Sequence, residues 1–165
     1  MSLGTLSLDF LVLPLDDPER FAGALVELGV LSAVPAAGRE ELSEARRLQA
    51  ALGACAWAAV RRTPLAPHDV ATLNSYAGDE PPALVLRVDG TAARAATDPV
   101  RAALAAIARD AVETIARRSG RLRRCEGTHC GRLFVDVSRG RRRRWCSMAR
   151  CGNRVKVAAF RRRSP

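Results

Sequence analysis

Cys125/Cys130 and Cys146/Cys151 form two Cys-x4-Cys pairs separated by fifteen residues. Thiolate is a soft ligand, and two close pairs with a hairpin-sized gap between them clamp one tetrahedral zinc ion. Four thiolates fill the coordination shell and quench the Lewis acidity of the metal, so the site reads as structural. A second assignment puts His129 in the place of Cys130. Glu126, inside the first pair, reads as an exposed loop residue rather than a base. Cys55 stands apart on the apolar stripe of a helix with no histidine beside it, and reads as a buried, inert thiol. A lone His68 gives no metal or catalytic signal.

Between the cysteine pairs runs Arg141-Arg142-Arg143-Arg144-Trp145. Residues 117–165 hold seventeen Arg or Lys against only Glu126 and Asp136, a net of +15; residues 1–116 hold ten Arg against fifteen carboxylates, a net of −5. The formal +10 therefore belongs to one segment, as in a polyanion-binding module attached to something else. The acidic half cannot match that excess by pairing. Arginine forks suit phosphates, and one or two can read guanine edges. Trp145 either stacks on an unpaired base, which would favour single strands or RNA, or covers the metal core. Arg150, Asn153, Arg154 and Lys156 complete the candidate nucleic-acid-binding set. No phosphate loop, nucleophile motif or convergent histidine–carboxylate set is visible, so an enzyme is not expected.

The elements that must position these groups are mostly helices. The apolar share is 48% but leans on alanine, with aromatics at 4%, so the core should be closely packed helices with few large anchors. Leu3–Leu13 is either a short helix or a buried strand. Asp17-Pro18 starts a helix carrying Phe21, Leu25 and Leu28, with Gly29 its stop. Arg39 to about Arg62 is the longest regular segment, with Leu42, Ala45, Leu48, Leu52, Cys55, Ala56 and Ala59 on one stripe and Trp57 off it, facing a neighbouring helix. Pro67-His68-Asp69 opens another helix, with Val70, Leu73 and Tyr76 inward. Ala83–Val88, Asp89-Gly90 and Thr91–Thr97 read as a hairpin. Asp98-Pro99 starts the last helix of this part, burying Leu104, Ile107, Ala108, Ala111, Val112 and Ile115. No run approaches the ~20 apolar residues of a membrane span, and no export leader is evident, so a cytoplasmic protein is expected.

A segment of ~45 residues buries too little surface to fold alone and needs the metal as a staple. Cys130-Gly131-Arg132-Leu133-Phe134 reads as a knuckle running into a strand. Asp136 and Ser138 begin a turn, and Arg141–Trp145 is a return strand or an extended loop. Ser147 caps a final helix with Met148, Cys151, Val155 and Ala158/Ala159 on the packed side; Asn153, Lys156, Phe160 and Arg163 lie opposite, and Arg150, Arg154 and Arg161 form a flank. The fold class is thus mainly α: a helical domain over residues 1–118 with a β-hairpin insertion, Gly120 as hinge, and a small treble-clef-like zinc finger over 121–165.

The motif C-x4-C-G-R-x-F, then D-x-S, then R-R-W-C-S-M-A-x-C-G-N-R-x-K resembles the CGNR zinc-finger family, named for the run present here as Cys151-Gly152-Asn153-Arg154. It covers about a fifth of the chain. In that family the finger follows a helical domain termed ABATE, described as a stress-induced transcription regulator domain, and the layout here is similar. The resemblance implies a bacterial DNA-binding regulator whose N-terminal part senses a small-molecule effector or dimerises. Relatives carry an Asp-Phe-Val-Asn-Thr-like stretch, where this chain reads Asp9-Phe10-Leu11-Val12-Leu13 and lacks the polar pair. Two alternatives stay open: an RNA- or ribosome-associated zinc protein, and a protein–protein adaptor.

Overall fold

In a computed structural model the backbone is described over residues 4–161 and the side chains over 4–157. Five helices make the body: α1 (Leu6–Phe10), α2 (Pro18–Glu27), α3 (Arg39–Arg61), α4 (Pro67–Ala77) and α5 (Pro99–Arg118). Their starts follow the chemistry of the caps. The carboxylates of Asp17 and Asp98 accept the amides of Arg20 and Arg101, each followed by proline in the first turn. Gly38 N–H donates to the Glu41 carboxylate, which supplies the returning half of a capping box on α3, glycine having no side chain for the other half. The α2 helix ends on Gly29 at φ +70°, and α3 ends on Arg62 at φ +58°.

Helix wins over strand in the first segment. Thr5 caps α1 by accepting from Leu8 N–H, and the Asp110 carboxylate on α5 takes the free first-turn amide of Ser7 at 2.7 Å. The core of the body gathers Phe10, Phe21, Leu25, Leu48, Leu52, Leu104 and Ile107, all essentially inaccessible. Ala103, Ala108 and Ala111 line the inner face of α5, and small side chains there let the helices approach closely. Val112, expected on that face, is 36% exposed: it is the residue next to Ala111 and has rotated past the edge of the stripe. Tyr76 is buried as expected, its hydroxyl donating to the carbonyl and carboxylate of Glu44. Cys55 lies in the same core; burial, and then the Asp69 carboxylate, push its thiol up, which fits an inert residue.

The hairpin insertion is β1 (Ala83–Leu86) paired antiparallel with β2 (Ala92–Ala95), in register Leu84↔Arg94 and Leu86↔Ala92. A second two-stranded sheet, β3 (Leu122–Arg124) with β4 (Leu133–Val135), precedes the terminal α6 (Asn153–Arg161). Gly120, expected as a hinge, lies in a 3-10 turn (Ser119–Arg121) that continues α5 into β3. Nor does the C-terminal unit hang free. A second core joins Leu8 of α1 and Ala56 of α3 to Leu122, Leu133, Phe134, Val135, Cys125 and Cys146. Trp57 packs on this cluster, which includes Leu8 of the neighbouring helix α1, with the guanidiniums of Arg61 and Arg124 over its ring at 5.3 and 5.8 Å. No described helix is long and apolar enough to cross a membrane.

Candidate metal centre and basic surface

The first cysteine pair sits at the turn of the β3–β4 hairpin. Cys125 N–H donates to Arg132 O at 2.8 Å and Cys130 N–H to Gly127 O at 3.0 Å, so the chain folds back within five residues. Gly131 makes that reversal at φ +62°. Gly127 is needed for another reason: a Cβ there would lie 3.1 Å from Cys151 Cβ and 3.2 Å from its Sγ. The second pair flanks the start of the last helix. Ser147 accepts from Arg150 N–H, and its carbonyl takes the amides of both Cys151 and Gly152 at 3.0 Å, opening a π turn (Met148–Gly152).

These elements bring all four Sγ atoms within 4.8 Å of one another. Cys130 and Cys146 are 3.6 Å apart, and Cys146 and Cys151 3.8 Å. A tetrahedron with Zn–S bonds of ~2.3 Å has edges of ~3.8 Å, so the cluster fits zinc. Cys125 Sγ also accepts from the amides of Gly127 and Cys146, at 3.4 and 3.3 Å, as a ligand thiolate should. The thiols do not share their protons evenly. Burial opposes ionisation of Cys130, yet the Arg132 amide and the three neighbouring thiols hold it below its ordinary value; burial and the thiols of Cys130, Cys125 and Cys151 push Cys146 up. One structural zinc per chain is the cofactor of this site. His129 is exposed and outside the cluster, and Glu126 is ion-paired to Arg144 at 2.6 Å. Replacing Gly127 by alanine is expected to weaken zinc binding about tenfold, because Cys151 Sγ and the Cβ atoms of Cys151 and Cys130 must give way; competition with a chromophoric chelator measures it.

Four thiolates around Zn²⁺ carry a formal −2, and the surrounding charge answers it. Arg132, Arg150, Arg154 and His129 line a hollow of about 260 Å³ against Cys130, Cys146 and Cys151. Arg132 was not among the sequence candidates, and only its place next to Cys130-Gly131 hinted at such a role.

The arginine run forms a loop, not a return strand. The partner of β4 is β3, which precedes the first cysteine pair, because the knuckle itself is the hairpin turn. The loop is held by Asp136, which is completely buried and accepts from Ser138 Oγ (2.6 Å), Ser138 N–H (2.9 Å) and Arg143 N–H (2.9 Å). Burial disfavours its charge, but the Ser138 and Arg143 donors and the nearby Arg123 outweigh that and hold the carboxyl below its usual range. Sequence reading placed Asp136 only at a turn.

The loop sorts its four arginines. Arg143 turns inward: its guanidinium donates to Trp145 O at 2.9 Å and to Cys146 O, and lies over the Phe134 ring at 5.2 Å. Arg144 is engaged by Glu126 and lies over Trp145. Arg141, at φ +50°, and Arg142 are exposed, and their side chains have no hydrogen bond or ion pair among the described residues. Trp145 is half-buried on the metal-centred core, its ring against Gly152, and its indole N–H has no partner among the described residues. Arg150, Asn153, Arg154 and Lys156 are exposed. Met148, expected on the packed side, is 47% exposed, since the π turn shifts the phase of the helix and lays its sulfur over Gly152. Val155 is half-buried as that reading required. The expected faces at Ala158/Ala159, Phe160 and Arg161 lie outside the described side chains, and Arg163 and Leu3 outside the described residues.

Residues 4–118 match the family profile of ABATE, described as "Putative stress-induced transcription regulator", and residues 121–164 match that of the CGNR zinc finger. A comparison with curated proteins finds no match.

Proposed function

We propose that this chain, which belongs to the ABATE family and ends in a CGNR zinc finger, regulates transcription by binding duplex DNA through the outer surface of that finger. The observation that carries this reading is the pairing of two surfaces on one zinc-stapled unit. Arg141 and Arg142 project from a loop pinned by Asp136, and Asn153, Arg154 and Lys156 stand exposed on the first turn of the terminal helix. Arginines without protein partners suit phosphates, and a short helix start that offers Asn, Arg and Lys suits base edges in a major groove.

In this scheme residues 1–118 form the regulatory or assembly unit and residues 121–165 the DNA-binding unit, which acts without catalysis. Trp145 supports a duplex over single-stranded RNA, because its ring is committed to the metal-centred core. Arg143 and Arg144 support the loop more than they offer charge outward, and Arg150 and Arg154 serve both the thiolate cluster and the surface.

Selection from random duplex DNA by zinc-loaded protein at about physiological ionic strength tests the reading, since loose electrostatic binding is weak there. An enriched short duplex motif is expected; retention of RNA pools with no duplex enrichment would overturn it. Arg141→Glu with Arg142→Glu is expected to weaken duplex affinity at least about tenfold and to lower the salt slope by roughly 2, near 0.9 for each lost phosphate contact. The thermal midpoint should stay where it is, because neither side chain has a hydrogen bond or ion pair among the described residues.

A further inference from the structure

The hairpin insertion exposes more apolar surface than its size explains. Leu84 and Leu86 are 69% and 81% exposed, while Ala93 on β2 is buried against the body. Side chains alternate along a strand, so Leu84 and Leu86 share the outer face. The backbone sorts in the same way. Arg94 N–H donates to Ser32 Oγ at 2.8 Å, away from β1, so Arg94 and its partner Leu84 form a non-hydrogen-bonded pair. Arg87 N–H donates to Thr91 O at 2.8 Å, which puts Leu86↔Ala92 in the same class two residues along. The amides and carbonyls of Leu84 and Leu86 therefore point out of the free side of β1, and none of them has a hydrogen-bond partner among the described residues.

From this geometry we propose that β1 is a dimerisation edge, along which two copies of this chain pair antiparallel into one four-stranded sheet. The edge is self-complementary. With Leu84 of one copy opposite Leu86 of the other, each pair exchanges two backbone hydrogen bonds, and the two leucine pairs cover one another on the outer face. Ala83–Leu86 carries no charge, so the two-fold axis brings no like charges together. The devices that protect solitary edges, an inward charge, a lysine or a bulge, are missing from β1. Pro81 and Pro82 precede the strand and end the available ladder, because Pro82 has no N–H to offer. On the other side Ser32 occupies the outward amide of Arg94 on β2. Pairing about a two-fold axis uses β1 of both copies, so it closes at two copies instead of growing into a fibre.

Sedimentation equilibrium of the full zinc-loaded chain across roughly 1–100 μM tests this. A dimer is expected, with slowed hydrogen exchange at the Leu84 and Leu86 amides. Leu84→Lys with Leu86→Lys should raise the dimer dissociation constant at least about tenfold and restore fast exchange at both positions, since it sets like charges across the axis. Both side chains are largely exposed, so the helical circular dichroism should not change. A wild-type chain that stays monomeric over the whole range overturns the proposal. So does a dimer that the double variant leaves intact.

Discussion

Stripping zinc from the protein under reducing conditions is expected to unfold residues 121–157 and leave the body α2–α5 helical. The C-terminal unit has four large side chains in its core, Leu122, Leu133, Phe134 and Val135, on strands of three residues each. Burial of each stabilises by about 1.5–3 kcal/mol, which cannot order a segment of this length against its chain entropy. Structural zinc adds on the order of 10–16 kcal/mol of apparent folding energy in finger-sized units, so metal and fold should be lost together. The damage should also cross into the body. Leu8 and Ala56 form one core with the finger, and Trp57 packs on it. Loss of the metal should therefore move Trp57 to a wetter environment, seen as a red-shifted emission in a chain whose Trp145 is replaced by Phe. Trypsin should cut at Arg123, Arg124 and Arg132 only after chelation, and Cys151→Ser should behave like the stripped protein. Equal protease resistance with and without zinc would mean that docking on α1 and α3 alone folds the unit.

What the sequence disclosed depends on whether a property is local. The cysteine spacing could be read because ligand chemistry needs those atoms at that separation. The helix starts could be read because Asp-Pro encodes a cap and a first turn within two residues. Strand pairing could not. Leu122-Arg123-Arg124 has no alternation to mark it, and its partnership with Leu133–Val135 exists only because the knuckle between them is itself the turn. The first turn of α1 is held not only by its local Thr5 cap but by Asp110, 103 residues from Ser7. Docking was equally hidden: Leu8 and Phe10 of α1 serve different cores, and nothing in Leu-Asp-Phe says so. The arginine run was legible as charge, but its division into inward Arg143, paired Arg144 and outward Arg141 and Arg142 is a consequence of one buried carboxylate.

That carboxylate sets the second large effect. Asp136→Ala is expected to destabilise the finger by about 2–5 kcal/mol, because it removes the acceptor of three donors on the half-buried Ser138 and Arg143; each donor left unsatisfied costs about 1–3 kcal/mol. Asp136→Asn keeps one acceptor and should lose less. Because the folded carboxyl is held below its ordinary value, its stabilising contribution is fully present above the unfolded pKa of ~3.9 and disappears only as pH falls through the lower, folded value. The gap in thermal midpoint between wild type and Asp136→Asn should therefore be flat from about pH 6 to 8, where the thiolates still hold zinc. A gap that shrinks within that window would show that the carboxyl titrates there and is not held ionised by its donors. The same variants separate shape from charge on the surface. Asp136→Ala keeps Arg141 and Arg142, all four cysteines and one zinc per chain, but it frees the loop that presents the arginines. Duplex affinity should then fall several-fold at unchanged metal content, because the phosphate contacts need a fixed loop as well as charge. Unchanged affinity would mean that the run binds as a flexible cationic tail, and that Asp136 serves the fold alone.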